Sequence, residues 1–510
     1  MVSKRIIAVF IGAVCLASAY YVWFVKKSNQ QSLIQHQEST NQLLAQSESN
    51  TISACAGFST QSAECDSVQL KIQGSLPTWL RGTIIRTGPG MFDLHNETFK
   101  YWFDGFALLH NISFNADGAL FSSRLLKSDY YQRAQKNGKL PMLEQKKSSI
   151  FSKLGAMLST RPAYDNGNIN ISKCGDSFVA LTATPLALAF NPVSLETYDI
   201  IEFDDKLEGH VTTPHPCIDP ITGEHFNLLI EYGTTTHYHL YSMAPNSTQR
   251  TLICSIPTKQ PSYMHSLALS KQYIILTAQP FVVNPSDMLF NIKPYFDYFS
   301  WKPELNTEII VVNRHTGKIV NRVCTEPFFT FNHLNAFEEN GTLHIDLVTY
   351  PDATIIKNTA LEHLRKHPES FGAGSQLKRI SIDLDKNTVK NTIICTEALE
   401  LPRMNNEYKM KNYQFAYGVG AGFDRIIKID LYTKKTMSWN CNNCYPGEPI
   451  FVANNKGSAE DDGVLISTVL DACANKSFVV VLNAQTMKEV ARMQLPVALP
   501  FSLHGQFFNT

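Results

Sequence analysis

One short pattern recurs along this chain and limits the folds open to it. An apolar run ends on Asn or Asp, a polar turn follows, and a second extended run begins. It appears at Asn191-Pro-Val-Ser-Leu-Glu-Thr, Asp219-Pro-Ile-Thr-Gly-Glu, Asn313-Arg-His-Thr-Gly-Lys, Asp383-Leu-Asp-Lys-Asn, Asp430-Leu-Tyr-Thr-Lys-Lys and Asn483-Ala-Gln-Thr-Met-Lys. Asn and Asp side chains accept hydrogen bonds from backbone a residue or two ahead, so each segment reads as a hairpin closed by an Asx-type turn. The flanking runs, such as Thr83-Ile84-Ile85, Tyr273-Ile-Ile-Leu276, Glu308-Ile-Ile-Val-Val312 and Phe478-Val-Val-Val-Leu482, are β-branched and aromatic, as strands are. Six strand–turn–strand units with little helix between them favour an all-β radial repeat such as a propeller over a sandwich. Helix is predicted around Ala360 to Lys366, with weaker signals at Ser149 to Leu158 and Pro285 to Phe299.

The amino-terminal segment differs in kind. Lys4 and Arg5 precede an uncharged apolar stretch from Ile6 to Val25, long enough to span a bilayer, and Lys26 and Lys27 follow it. Residues 1–27 are therefore read as a membrane-associating signal anchor. The rival is a signal peptide cleaved after Ala17-Ser18-Ala19, which would export the chain. Residues 28–60, rich in Gln, Ser and Asn, read as a polar linker, and 61–510 as one β-propeller domain.

Lys+Arg and Asp+Glu both number 45, so no net field recruits nucleic acid, and no basic stripe does so locally. Of the eleven cysteines, Cys441 and Cys444 alone are closely spaced. One such knuckle cannot close a four-ligand zinc site, and the pair reads as a turn. The segment from Met288 to Trp301 carries Leu289, Phe290, Ile292, Tyr295, Phe296, Tyr298 and Phe299, too apolar for an ordinary loop. It is either core or the wall of an apolar passage or membrane-docking patch.

Fifteen histidines are present, yet no His-Glu-x-x-His and no Gly-x-Ser-x-Gly occurs, so any metal site must be assembled from distant segments. Several blocks carry a resemblance. Arg81-Gly-Thr-Ile-Ile-Arg-Thr-Gly-Pro-Gly-Met-Phe and Tyr101-Trp-Phe-Asp-Gly-Phe-Ala-Leu-Leu-His110 come first; Thr213-Pro-His215-Pro, Ser262-Tyr-Met-His265-Ser, Phe331-Asn-His333-Leu-Asn-Ala-Phe and Leu499-Pro-Phe-Ser-Leu-His504-Gly follow. Together they resemble the carotenoid cleavage oxygenases, most closely the animal branch of β-carotene cleaving enzymes and retinoid isomerohydrolases.

The resemblance implies a seven-bladed propeller with a loop and helix cap over its metal-bearing axial face. It also implies one Fe(2+) per subunit, held by His215, His265, His333 and His504. Imidazole suits ferrous iron, and four nitrogen ligands on an octahedral ion leave two positions open. The family's supporting glutamates match Glu400, which by the family pattern supports His333, and Glu448, which supports His504. A third is missing: the chain reads Thr182-Ala183-Thr184 where the family has Thr-Glu-Thr, leaving a hydroxyl of Thr182 or Thr184, a carbonyl or a water to serve His265. Ile169 matches the aliphatic neighbour of one open iron position, and His110 is not carried over as a ligand.

The implied activity is dioxygenase cleavage of a conjugated double bond in an apolar carotenoid or apocarotenoid, with O2 as co-substrate and carbonyl products. Retinyl-ester isomerohydrolysis and non-catalytic carotenoid or lipid binding are the alternatives.

Overall fold

In the computed structural model of the protein, residues 54–140, 164–290 and 293–509 are described. The predicted anchor or signal segment, most of the linker and the helix expected at Ser149 to Leu158 lie outside them. Among the described residues no helix is long and apolar enough to cross a membrane.

Seven antiparallel sheets of four to six strands form the blades of a propeller. Blade 1 holds, from outside to axis, Cys65–Leu70, Gly118–Leu125, Phe106–Asn115, Gly82–Met91 and Gly505–Phe508. Blades 2 to 6 follow in chain order, with inner strands beginning at Asn170, Val211, Ala268, His333 and Glu400. Blade 7 has Cys444–Pro446 and Ile450–Ala453 innermost, then Gly463–Asp471, Lys476–Asn483 and Glu489–Gln494, with Ile72–Gly74 at its outer edge.

The ring is thereby stitched twice. Gly505–Phe508 completes blade 1 from within, pairing Phe507 with Ile84, while Ile72–Gly74 caps blade 7 from without, pairing Ile72 with Met493. Closure of this kind satisfies backbone groups that an open edge would leave bare.

The recurrent turns explain the repeat. Asn191, Asp219, Asn313, Asp430 and Asn483 each accept at Oδ1 from the two backbone N–H groups two and three residues ahead, and Asp383 from that of Lys386. The residue four places on is left-handed at every one: Leu195, Gly223, Gly317, Asn387, Lys434 and Met487. Five of these turns join the third and fourth strands of blades 2, 4, 5, 6 and 7, whereas Asp219 joins the first two strands of blade 3. That displacement accounts for the irregular spacing in the sequence.

Strands such as Phe478–Leu482 are apolar without alternation because neighbouring blades cover both faces. Val479 and Val481 pack with Ile466, Ile84 and Ile112 between blades 7 and 1. Each such side chain removed from water contributes about 1.5–3 kcal/mol.

The folded unit begins at Ala54, within the stretch expected as linker, because Phe58 is buried against Trp102, Phe423 and Phe501. A helix absent from the sequence reading spans Asp129–Asn137, capped by the Ser128 hydroxyl and by left-handed Gly138. The helix predicted near Ala360 is the single turn Leu361–Leu364, and that predicted over 285–299 divides into Pro285–Phe290 and a 3-10 turn at Tyr295–Tyr298. Cys441 and Cys444 form a turn, Cys444 N donating to the Cys441 carbonyl at 3.1 Å.

Candidate metal centre

In a propeller the inner strands run side by side along the axis, so equivalent positions on them form a ring. Every blade places one of the residues singled out from the sequence at such a position. Ile169 and His504 immediately precede the inner strands of blades 2 and 1, and His333 and Glu400 begin those of blades 5 and 6. His265 lies just before Ala268–Leu269 of blade 4, and His215 and Glu448 occupy breaks in the inner strands of blades 3 and 7. Seven positions spread over more than three hundred residues thus lie in or beside the inner strands of the seven blades.

His215, His265 and His504 come together there, their ligand-capable atoms all within 4.8 Å of one another. His215 Nε2 is 3.1 Å from His265 Nε2, and the His215 ring centroid is 4.6 Å from that of His504. Imidazole nitrogens in adjacent octahedral positions, each ~2.0–2.1 Å from a metal ion, stand roughly 3.0 Å apart. The observed spacing fits two such positions.

The outer nitrogens explain why Nε2 faces inward. His504 Nδ1 donates to Glu448 Oε1 at 2.7 Å, His265 Nδ1 meets the Tyr263 hydroxyl at 2.9 Å, and His215 Nδ1 lies 3.4 Å from the Asn170 amide. A partner on one ring nitrogen sets the tautomer and the aim of the other. Burial, with the neighbouring histidines and Arg403, holds His215 well below its ordinary value. His265 is lowered to about 3 by burial, then by His504 and His333. The rings are therefore neutral, with lone pairs available to a cation.

His333 stands apart from this trio. Its Nδ1 contacts Ser266 Oγ and its Nε2 contacts Thr277 Oγ1, each at 2.8 Å, and burial lowers it to about 4. Glu400 does not reach it: Asn332 donates to Glu400 Oε2 at 3.1 Å, Leu401 N donates to the same oxygen, and the Tyr350 hydroxyl donates to Oε1. Asn332 thus stands between the carboxylate and the histidine beside it in sequence.

The two glutamates also differ electrically. Burial raises the Glu400 carboxyl, against its hydrogen bonds from Tyr350, Leu401 and Asn332. Burial would raise Glu448 as well, but Arg403, His504 and Arg86 bring it down to about 2. Arg403 Nε donates to Glu448 Oε1 at 2.7 Å; Arg86, 1% exposed, lies 3.5 Å from Oε2 and donates to the Glu448 and Leu503 carbonyls. Gly505 allows this packing, since a Cβ there would lie 2.4 Å from Arg86 Cγ. Neither arginine was singled out from the sequence, although Arg86 sits in a block that carried the resemblance and Arg403 lies three residues after Glu400.

At the missing glutamate, the Thr182 hydroxyl donates to Asn168 and that of Thr184 to the Tyr164 carbonyl, so neither serves His265. Ile169 is 6% exposed and its carbonyl accepts from His504 N at 3.2 Å, which sets an aliphatic side chain beside the trio. His110 is buried in blade 1 and its Nε2 has no hydrogen-bond partner among the described residues; it is lowered to about 3 by burial, then by Arg86.

Aromatic rings cover the His265 side. Phe331 lies 5.2 Å from His265 by ring centroids, with Phe329, Phe103 and Tyr263 around it. Phe296, from the apolar 285–301 segment, packs 5.5 Å from Tyr263 and 6.1 Å from Phe103. That segment is pinned by Asp297, which accepts from the Tyr101 hydroxyl at 2.6 Å and from Lys100 at 2.5 Å.

A family profile described as retinal pigment epithelial membrane protein matches residues 58–509. The β,β-carotene 15,15'-dioxygenase of Homo sapiens is 29% identical over 88% of this chain and 93% of its own length. A mitochondrial carotenoid-cleaving dioxygenase of Mustela putorius furo is 26% identical over 86% and 93%. Among solved structures, a variant of the Synechocystis apocarotenoid oxygenase superposes with a TM-score of 0.79 at 26% identity, covering 90% of this chain and 99% of that one.

Proposed function

Since the chain belongs to the retinal pigment epithelial membrane protein family, we propose that it is an iron-dependent oxygenase that cleaves a conjugated double bond of a carotenoid or apocarotenoid. One alkene and one O2 give two carbonyl products, a balance that needs no further reductant. The observation that carries this reading is the inward convergence of His215, His265 and His504 at a spacing suited to one ion. His333 would complete the set, exchanging its Thr277 contact for the metal. When bound, ferrous iron supplies the redox chemistry that couples O2 to the alkene.

The chain's own residues supply the rest. Glu448, fixed between Arg403 and Arg86, holds His504 in the tautomer that presents Nε2 inward. Phe103, Phe296, Phe329 and Phe331 give a polyene an apolar surface beside His265 and keep water from it. The 285–301 segment acts as a cap on this side, and residues 6–25, as an anchor or export signal, would bring the propeller to the membrane in which such a substrate dissolves.

Purified full-length chain supplied with Fe(II), O2 and a panel of carotenoids and apocarotenoids should yield shorter aldehydes or ketones. His265→Ala should abolish the yield. Turnover of the same substrates without O2 would overturn cleavage in favour of isomerohydrolysis, and absence of stoichiometric iron under reducing conditions would leave a binding protein.

A further inference from the structure

Two of the three converging histidines have a defined partner behind them, and the partners are unlike. His504 has the carboxylate of Glu448, whereas His265 has a phenol, the Tyr263 hydroxyl at 2.9 Å from Nδ1. We propose that Tyr263 is the positioning residue of His265, a neutral hydrogen-bond acceptor that takes over the work of the carboxylate absent at Ala183. The inference rests on the reading of His265 as a metal ligand and deepens it.

Three observations support a set position rather than a chance contact. Tyr263 is held two residues before His265 by its own backbone: its N–H donates to the Phe281 carbonyl at 2.8 Å and its carbonyl accepts from Gln279 Nε2 at 3.0 Å. Its ring stacks on Phe329 at 6.1 Å with planes 7° apart and meets the edges of Phe299 and Phe281, so the ring that carries the hydroxyl is held on several sides. The imidazole and phenol rings lie 6.0 Å apart by centroids with planes 29° apart, and the hydroxyl and Nδ1 are the atoms that meet.

With Nε2 turned to the axis, the proton of a neutral imidazole resides on Nδ1 and donates to Tyr263 Oη. Orientation is thereby secured, but no negative charge stands behind His265. A phenol makes its histidine a weaker donor than a carboxylate does, so His504, backed by Glu448, would be the stronger ligand of the two. The chain would tolerate alanine at 183 because the aromatic cluster already brings an oxygen to the same nitrogen.

The test uses the full chain stripped of metal and titrated anaerobically with Fe(II), and in parallel with Co(II), whose visible spectrum reports ligand geometry. Tyr263→Phe removes only the hydroxyl and should weaken metal affinity by about 10–100-fold, the usual consequence of losing such a partner, with an altered Co(II) spectrum. Phe281→Leu loosens the same cluster but leaves the hydroxyl, and should keep affinity and spectrum near those of the unaltered chain. Equal affinity of Tyr263→Phe and the unaltered chain would overturn the proposal, as would an equal loss in both variants, which would assign the effect to packing. An unaltered chain that binds neither metal would overturn instead the iron reading beneath it.

Discussion

Replacement of Glu448 by Gln tests the electrostatic centre of the ring. The substitution keeps the shape and removes one negative charge from a site where Glu448 is 0% exposed and Arg86 1% exposed. Arg403 Nε and His504 Nδ1 each lie 2.7 Å from Oε1, and Arg86 lies 3.5 Å from Oε2. At a separation of ~4 Å and an effective dielectric constant of ~20, each guanidinium contact is worth roughly 4 kcal/mol of gross attraction. The cost of burying three charged groups offsets most of that. What survives is an asymmetry, because removing the carboxylate leaves Arg86 buried without a counter-charge, and such losses run at about 3–5 kcal/mol. Urea unfolding of the metal-free chain, followed by tryptophan fluorescence at pH 7, should show Glu448→Gln less stable by about that amount, and metal affinity should fall by about 10–100-fold as His504 loses the negative charge behind it. Adding Arg403→Gln should restore part of the stability, since one unpaired cation is then gone. A single variant as stable as the unaltered chain, or a double variant worse than the sum of its parts, would refute the reasoning.

Thr277→Val frees His333 Nε2 from its 2.8 Å contact; one neutral hydrogen bond of ~1 kcal/mol should then raise metal affinity about 5-fold, and a fall in titrated affinity would count against His333 as a ligand. His110, lowered from 6.5 to about 3 in the folded chain, contributes stability that is complete above pH 6.5 and drains as pH falls toward 3, about 2 kcal/mol of it by pH 5. His110→Gln should show that much less acid loss between pH 7 and 5 in urea midpoints, and a variant that tracks the unaltered chain would remove His110 from the account. Chelation should leave the circular dichroism of the propeller intact, because the ring is closed by strand pairing, yet lower its thermal midpoint through loss of the ~2.7 kcal/mol of stability that an ion at 100 times its Kd contributes.

Local chemistry was legible in the sequence and long-range geometry was not. Asn191, Asp219, Asn313, Asp383, Asp430 and Asn483 announce their turns because an Asx bond involves only the next few residues. The inner-strand positions of His215, His265 and His504 followed from the blocks around them. The orientation of His333 did not, because Ser266 and Thr277 reach it from blade 4, well apart from it in the chain. The same holds for Glu400, whose partners Asn332 and Tyr350 lie just before the first and just after the second strand of blade 5. Tyr263 lay in plain view, two residues before His265, but nothing in Ser262-Tyr-Met-His265 says that its hydroxyl turns back. Helix Asp129–Asn137 carried a readable Ser128 cap and Gly138 stop, obscured by the expectation of strands throughout.

The strand that completes blade 1 from within also carries a timetable. His504 is the last of the seven ring positions in chain order and directly precedes Gly505–Phe508, the segment that closes the propeller. At ~5–20 residues per second of synthesis, it follows His215 out of the ribosome by tens of seconds. Late in that interval the nascent chain has most of its blades but only two members of the converging trio, and Glu448 has no imidazole to hold. A stalled or truncated product is therefore denied the full trio by the same missing residues that leave its ring open. The assembly of the trio is coupled in this way to the closure of the ring around it.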